Sequence, residues 1–240
     1  MLLRVTIQNM LSFYNKTTFD MFPNPKREGF PNHINTDEKI PLLKHALIYG
    51  ANGSGKSNFV KVLYFLKTFV SVENFLDNIE IDDYLFQLVR SNKDPMKVEI
   101  EFSTNGKYYI YGFEITRSQK NNIKEYLKLS GLGENDDEIL FERNGYVITP
   151  TTNKELSTKL LKNNSSSSII PLNQKYPIIN NDEISKVYKW FLSELVIITI
   201  NSQTPFLIDM MSKNKQLFEF SNKLLSELHI TDSLKISETP

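Results

Sequence analysis

The residues whose types and spacing suit chemistry lie together in one stretch, Gly50–Ser57, which reads GANGSGKS. This stretch fits the pattern G-x-x-x-x-G-K-[ST] at every defined position, and that pattern is typical of loops that hold phosphate groups. Gly50, Gly53 and Gly55 can adopt backbone angles that are closed to other residues, so the chain can pass close to a ligand. The backbone amides of such a loop point inward and form a concave anion site. We call Gly50–Ser57 the phosphate loop.

Two side chains of the phosphate loop have defined roles in this chemistry. Lys56 would place a positive charge against the β- and γ-phosphates of a nucleotide, and the Ser57 hydroxyl would coordinate Mg²⁺. Mg²⁺ keeps several waters and binds through few protein ligands. The positive end of the following helix would face the same phosphates. The predicted binding residues are Gly50, Asn52, Gly53, Ser54, Gly55, Lys56, Ser57 and Asn58.

A strand and a helix must flank such a loop to position it. Ala46–Tyr49 is a short apolar run that suits a buried strand. Because strand, loop and helix follow in the required order, the pattern favours a phosphate-binding loop over an ordinary glycine-rich turn. The apolar residues that predict the helix recur at helical spacing and are Phe59, Val62, Leu63, Leu66 and Val70.

Composition excludes several classes of site. The chain has 240 residues, and its 28 basic and 28 acidic residues balance, so no net positive field favours nucleic acid. It contains no cysteine, which excludes thiolate chemistry, and its 3 histidines lack the spacing of metal ligands. No stretch approaches the roughly 20 apolar residues of a membrane span, and the N-terminus lacks the pattern of a signal peptide. We therefore expect a cytoplasmic location.

Alternating apolar and polar residues predict an antiparallel block of hairpins at about 98–149, turning on Asn105-Gly106 and Asn144-Gly145, with another strand at Ile123–Leu129. Because this block follows a strand–loop–helix unit, we expect the α/β class with a mixed sheet. The strands expected in the sheet are Leu2–Ile7, Ala46–Tyr49, Val98–Phe102, Tyr108–Ile115 and Leu195–Ile200.

Three later segments carry further expectations. The serine-rich stretch Lys162–Ile170 is of low complexity and predicts a mobile loop. Asp182–Leu195 has helical spacing, and Lys213–Ile230 predicts an amphipathic helix.

Two stretches resemble a known family. Leu2–Phe13, which reads LLRVTIQNMLSF, is similar to the opening strand and Asn-Phe-x-Ser-Phe motif of ABC-type ATPases of the SMC, RecF and OLD branch, with Met10 in place of Phe. The phosphate loop resembles the Walker A motif of these proteins, including Asn52 and Asn58. The hairpin stretches KVEIEFSTNGKYYIYGFEIT and EILFERNG resemble AAA-type ATP-binding proteins of bacterial anti-phage defence loci.

The resemblance implies a P-loop NTPase fold: an ABC-ATPase-like head that binds ATP and Mg²⁺, with a mixed sheet and an antiparallel β subdomain. Residues 1–240 would be the N-terminal half of such a head, with the hairpins inserted into the P-loop core. In this family two heads close face to face over two ATP molecules. The implied partners are a second copy, as a homo-dimer or higher oligomer through the head, and a protein effector subunit.

The resemblance also implies a Walker B acid pair, a signature motif and a glutamine near Mg²⁺. Leu195–Ile200 has the apolar run of a Walker B strand, but Asn201 follows it, so we interpret it as sheet core. Asp82-Asp83 is interpreted as a solvated charge cluster. Leu129–Gly133, LSGLG, has the letters of a signature motif without the helix that must follow. Gln87 is the candidate metal ligand beside Ser57, and a surface glutamine is an equal alternative.

Two functional hypotheses follow. The first is an ATPase head that dimerises on ATP and hydrolyses it when completed by a C-terminal signature and Walker B half, in a bacterial defence or DNA-maintenance system. The alternative is a nucleotide-dependent interaction module or sensor that does not hydrolyse ATP. No catalytic residue is assigned, and whether this chain is itself an enzyme stays open. Direct DNA binding is not expected, because lysine and arginine are not clustered.

Overall fold

The computed structural model describes residues 1–26, 31–89, 94–117, 119–199, 204–229, 231 and 233–235. The chain divides into two units, Met1–Val196 and Ile197–Pro240. Among the described residues, none of the helices combines the length and the apolar character needed to cross a membrane.

The first unit is built around an antiparallel sheet of seven strands in the order β2-β1-β5-β6-β7-β8-β9. Neighbouring strands of this sheet are mostly neighbours in sequence, and two-residue turns join β5 to β6 and β8 to β9. Asn105 and Gly106 turn between β5 and β6 with φ of 52° and 72°, as the sequence predicts. The strands are β1 Leu2–Gln8, β2 Thr17–Asp20, β3 Ile34–Asn35, β4 Leu42–Leu43, β5 Met96–Thr104, β6 Lys107–Thr116, β7 Gln119–Leu129, β8 Glu138–Asn144 and β9 Val147–Thr149, of which β3 and β4 pair separately.

Helices of the first unit cover one face of this sheet. Short 3-10 turns lie at Pro31–His33, Phe75–Asn78 and Ile81–Asp83, and a π-helical turn at Trp190–Glu194 continues α4. The helices of the first unit are α1 Lys56–Ser71, α2 Lys154–Asn163, α3 Ile169–Lys175 and α4 Glu183–Lys189, and those of the second unit are α5 Thr204–Lys213 and α6 Lys215–Glu227.

Aromatic side chains form the core between α1, the π-helical turn and the sheet. Phe65 and Phe69 of α1 lie against Phe113 of β6, with ring centroids 5.8 and 5.0 Å apart. Phe102 of β5 stacks on Trp190 at 3.9 Å. All five rings are buried, and apolar burial of this kind is the main favourable term in folding. The core therefore fixes α1, and with it the start of that helix, against the sheet.

A buried polar network crosses the same face of the sheet. Glu125 of β7 lies opposite Arg143 of β8, and both side chains are fully buried. Glu125 accepts hydrogen bonds from Tyr111 at 2.9 Å, from the Ser168 hydroxyl at 2.5 Å and from the amide of Ile169 at 3.0 Å. Burial raises the pKa of the Glu125 carboxyl group, while the Arg143 guanidinium and these donors act against that rise.

The serine-rich stretch within Lys162–Ile170 belongs to this network, so the prediction of a mobile loop is wrong. Ser166, Ser167 and Ser168 are buried. The carbonyls of Ser165 and Ser167 accept hydrogen bonds from Arg143, and Ser168 caps α3. Low complexity predicted mobility because serine has no apolar side chain to bury. Here a buried guanidinium needs acceptors, and this backbone supplies them.

Two of the expected strands are also wrong. Residues 45–50 have no regular structure, and Leu47, Ile48 and Tyr49 are 86%, 48% and 93% exposed. Both edges of β1 are taken by β2 and β5, so Ala46–Tyr49 has no place beside it. The parallel part of the expected mixed sheet depended on Ala46–Tyr49 and on Leu195–Ile200.

Leu195–Ile200 is likewise not a core strand over its described residues, 195–199. The π-helical turn runs to Glu194, and the ammonium of Lys67 caps its end by donating to the carbonyl of Leu195 at 2.7 Å. Val196 and Ile198 are 39% and 54% exposed. An all-apolar run does not by itself distinguish a buried strand from the continuation of a helix end.

The other strands and the amphipathic helix predicted from the sequence are present. β1, β5, β6 and β7 contain Leu2–Ile7, Val98–Phe102, Tyr108–Ile115 and Ile123–Leu129, and the second hairpin turns at Gly145, with φ of 60°. The predicted amphipathic helix is α6. The α/β class is confirmed.

Candidate functional site

The phosphate loop joins an exposed, irregular segment to the first turn of α1. Gly55 precedes the helix with φ of 93°, a conformation that other residues rarely adopt. The Ser54 amide donates to the carbonyl of Ala51 at 3.2 Å, and the Asn58 amide donates to the carbonyl of Gly55 at 2.9 Å. These bonds close the loop on itself above the helix start.

The ammonium group of Lys56 lies over the phosphate loop. Lys56 Nζ donates to the carbonyls of Gly50 and Ala51, both at 2.7 Å, and lies 3.5 Å from the Ser54 hydroxyl. The first turn of α1 carries no acidic residue. The loop therefore combines a positive side chain with the positive end of a helix, an arrangement that attracts anions.

The phosphate loop is accessible from solvent. A Cβ placed on Gly53, which has φ of 79°, would meet no atom within 4 Å, so the loop is open there. Ser54 and Ser57 are exposed, and Asn52 is exposed beside them. Ser57 is thus accessible as the single protein hydroxyl that a Mg²⁺ ion at a phosphate loop requires.

A cleft of about 400 Å³ opens between the phosphate loop and the β1–β2 hairpin. Its lining combines Gly50, Gly55 and Lys56 of the loop with Phe13 and Thr17 of the hairpin. The hairpin is held against α1 by the rings of Phe19 and Phe59, whose centroids are 4.8 Å apart. The cleft is largely apolar apart from the phosphate loop, which is the usual character of a small-molecule site.

Sequence reasoning missed Ser12 as a neighbour of the phosphate loop. Its hydroxyl oxygen lies 2.6 Å from the position that a Cβ on Gly55 would occupy. Ser12 is the serine of the motif Asn9–Phe13. The sequence signal that points to it is the resemblance of that motif to the N-terminal motif of the ATPase family.

Gln87, the second candidate metal ligand, is not brought to Ser57 by any contact among the described residues. Its side-chain amide donates to the carbonyls of Asp82 and Leu85, the latter at 3.1 Å, within an exposed bend. That bend is tied to the N-terminal motif, because the Leu11 amide donates to the carbonyl of Tyr84 at 2.7 Å. A role for Gln87 at the metal therefore stays a prediction.

Asp82-Asp83 lies in a 3-10 turn and not at the end of a buried strand. The Asp82 carboxylate is held by Arg117 through bonds of 2.7 and 2.9 Å, and these bonds lower the pKa of Asp82. The interpretation as a solvated charge cluster is confirmed. Asn201, which follows the other Walker B candidate, lies outside the described residues.

The signature-like stretch Leu129–Gly133 ends β7 and enters a tight turn, so it lacks the following helix, as the sequence predicts. A Cβ on Gly131 would lie 2.1 Å from the carbonyl oxygen of Asn135, which shows how closely the chain folds back there. No helix begins at this stretch, and its amides do not form a helix end that could face a phosphate.

Two histidines that are distant in sequence meet in the structure. The rings of His33 and His45 have centroids 4.8 Å apart, just before the phosphate loop along the chain. Across the described ranges, no group of three or more histidine, aspartate or glutamate side chains is arranged to hold a metal ion. The pair therefore does not qualify as a metal centre.

Comparisons with known proteins identify the family of the chain. A family model described as "AAA domain, putative AbiEii toxin, Type IV TA system" matches residues 46–228, from just before the phosphate loop to α6. The protein named DNA replication and repair protein RecF of Carboxydothermus hydrogenoformans (strain ATCC BAA-161 / DSM 6008 / Z-2901) is 24% identical over 192 residues, 76% of this chain. The match covers 51% of that protein, so the chain spans about half the length of this curated relative. With more than half of its length matched and a complete phosphate loop at the start of α1, the chain belongs to this AAA family of P-loop ATPases.

Proposed function

We propose that the chain binds ATP with Mg²⁺ at the phosphate loop. The observation that carries this proposal is the placement of Lys56 Nζ over the open loop, 2.7 Å from two of its carbonyls and beside the positive end of α1. A phosphate group arriving there would replace weak carbonyl acceptors with a charged one. Hydrogen bonds to charged partners are shorter and roughly twice as strong as neutral ones.

The loop residues divide this work by their chemistry. Asn52, Gly53 and Gly55 offer backbone amides to the phosphates, Ser54 offers its exposed hydroxyl, and Lys56 offers its charge. Ser57 would hold Mg²⁺, with Asn58 following in the first turn of α1 and Gln87 as a second metal ligand. An Mg²⁺ ion held there would neutralise part of the charge of the phosphates. The accessible loop and the adjoining cleft support this assignment.

We also propose that this chain is the N-terminal half of an ABC-type head, with hairpins inserted at about 98–149. ATP would drive two completed heads together, and a signature motif and Walker B acids from a C-terminal half would complete hydrolysis. The exposed apolar side chains of Leu47, Ile48 and Tyr49 support a further strand pairing beside the loop. The match to about half of the RecF relative is consistent with it.

The proposed setting is a bacterial defence or DNA-maintenance system in the cytoplasm. The description of the matching family supports the first role, and the name of the RecF relative supports the second. The head would act with a second copy and with a protein effector subunit. Direct DNA binding by this chain is not proposed, since its 28 basic residues are balanced by 28 acidic ones.

ATP affinity of two lysine variants tests the central proposal. Lys56→Ala should weaken Mg-ATP binding by about tenfold or more, because it removes a charged donor from the phosphates. Lys61→Ala is the matched control, since Lys61 is an exposed lysine of the same helix beyond the loop. Calorimetric titration of the purified chain gives both affinities. Equal affinity in the Lys56→Ala protein and the wild type would reject the site.

The alternative, a module that binds ATP without hydrolysing it, shares the same site. Phosphate release by the purified chain and by the longest natural form separates the two functions. Hydrolysis that appears only in a longer form, and that Lys56→Ala removes, supports the ATPase head. ATP binding without phosphate release in every form supports the interaction module.

A further inference from the structure

The turn that follows β1, residues 9–13, places one exposed hydroxyl at the start of α1. We propose that Ser12 is an additional nucleotide-binding residue, whose hydroxyl donates a hydrogen bond to a phosphate oxygen of the ligand held by the phosphate loop. This inference rests on the proposed ATP site, and it adds a residue that lies 38 positions before the loop in sequence.

The closeness of Ser12 to the phosphate loop is the first observation behind the proposal. Its Oγ lies 2.6 Å, and its Cβ 3.4 Å, from the position of a Cβ on Gly55. A Cβ at this position would displace the Ser12 hydroxyl from where it lies. Gly55 is also the last residue before α1, so Ser12 lies at the positive end of that helix.

Backbone hydrogen bonds hold the turn, and three of them are made by the amides of the residues that precede Ser12. The amides of Asn9 and Met10 donate to the carbonyls of Tyr14 and Phe13 at 3.1 and 3.0 Å. The amide of Leu11 donates to the carbonyl of Tyr84 at 2.7 Å. Asn9 and Met10 are fully buried, whereas Ser12 is exposed. The turn therefore presents the Ser12 side chain outward from a fixed base.

The backbone of this turn adopts an unusual conformation. Asn9 and Leu11 both have φ of 52°, in the left-handed region that a leucine rarely enters. Such residues persist where the surrounding structure holds them, and they are enriched at ligand sites. The neighbouring Phe13 lines the same cleft as Gly55 and Lys56. Strain, anchoring and cleft lining are therefore found at the immediate neighbours of Ser12, the residue that touches the loop.

The chemistry of a hydroxyl suits this position. An ionised phosphate oxygen has no proton, so it can accept a hydrogen bond but cannot donate one. The Ser12 hydroxyl can donate such a bond. A serine also adds no charge, so it can lie beside Lys56 without disturbing its attraction for phosphate. A carboxylate in the same place would repel the ligand, because like charges at close range disfavour binding.

Mg-ATP affinity measured by calorimetric titration tests this inference with a series at one position. Ser12→Ala should weaken binding by about tenfold, and Ser12→Thr, which keeps the hydroxyl, should stay within about twofold of the wild type. Ser12→Asp should bind more weakly than Ser12→Ala, because its charge repels the phosphates. Ser193→Ala is the matched control, since Ser193 is exposed and, within the described part of the chain, its hydroxyl bonds only to its own helix, at 2.7 Å.

The outcomes separate this inference from the proposed function. Weakened binding in Lys56→Ala with unchanged binding in Ser12→Ala overturns the role of Ser12 and leaves the ATP site in place. Absence of Mg-ATP binding in the wild type overturns both. Thermal unfolding without nucleotide checks the fold. If Ser12→Ala unfolds at a lower temperature than Ser193→Ala, the threonine variant decides: restored affinity supports the hydroxyl contact, and unrestored affinity overturns it.

Discussion

Arg143 Nη1 lies 3.7 Å from Glu125 Oε2 on the neighbouring strand, and neither side chain is exposed to solvent. The Arg143 guanidinium also donates hydrogen bonds to the carbonyls of Gly145, Ser165 and Ser167, at 2.8, 2.9 and 2.5 Å. A buried ion pair stabilises a fold only if the surrounding hydrogen bonds compensate for the loss of water. Both side chains of this pair make hydrogen bonds that compensate for the lost water. The bonds from Arg143 also hold the backbone of the serine-rich stretch in place.

Removal of one partner should therefore be strongly destabilising. We expect Arg143→Ala to lower the free energy of unfolding by about 3–5 kcal/mol, because it leaves the Glu125 charge buried and unpaired. Urea denaturation followed by circular dichroism measures this change. Lys124→Ala is the control, since Lys124 is 60% exposed and pairs with Glu114 at the surface, where such pairs contribute about 0–1 kcal/mol. Similar losses in the two variants would contradict the prediction.

The stability contributed by Glu183 should depend on pH. Partial burial alone would raise the pKa of this carboxyl group, but hydrogen bonds from Tyr109, Lys186 and Lys107 lower the pKa from 4.5 to about 2. The folded chain therefore releases this proton more readily than the unfolded chain. The resulting stabilisation is complete above about pH 4.5 and is lost as the pH falls toward about 2.

Glu183→Gln tests that dependence. At pH 7 we expect a loss of about 1–2 kcal/mol in the free energy of unfolding, which is less than the full pKa shift implies because solvent screens the group. Urea denaturation between pH 7 and pH 2.5 should show the difference from the wild type shrinking as the pH falls. Glu142→Gln, at an exposed position of β8, should show little change. A constant difference across this range would disprove the assignment.

Gly112 and Tyr126 should be coupled across β6 and β7. The Tyr126 ring lies over Gly112, so that a Cβ there would come within 2.4 Å of the phenol group. The Tyr126 hydroxyl donates to Glu99, a bond that displacement of the ring would break. We expect Gly112→Ala to cost about 1–3 kcal/mol in the wild type and much less in a Tyr126→Ala background. A double-mutant cycle by urea denaturation measures the coupling, and additive effects would refute it.

ATP turnover by the chain alone should be slow. We expect phosphate release below about one per second with Mg-ATP, because hydrolysis needs a carboxylate to hold Mg²⁺ and to orient water. The candidate Asp82 is occupied by Arg117. A steady-state phosphate assay with Lys56→Ala as the control measures this rate. Faster phosphate release that Lys56→Ala abolishes would contradict this prediction and would make Asp82, Asp83 and Asp209 the candidates for the catalytic acid.

The sequence by itself determined the elements that depend on residues a few positions apart and not on contacts with distant residues. Asn105-Gly106 specifies its hairpin because both residues tolerate positive φ, and the alternation in Leu2–Ile7 specifies a strand with one buried face. The spacing of Gly55, Lys56 and the apolar residues after them specifies the loop and α1. These features depend on backbone preferences within a few residues, so the sequence alone predicts them.

Tertiary structure decided the features that depend on which surfaces meet. Ala46–Tyr49 and Leu195–Thr199 are apolar, but neither pairs as a strand in the described chain, since pairing requires a free neighbouring edge. The serine-rich stretch is ordered by Arg143, and Ser12 reaches Gly55 through a turn held by Tyr84. Burial and contact between distant residues set these outcomes, because the free energy of a polar or apolar group depends on its surroundings more than on its neighbours in sequence.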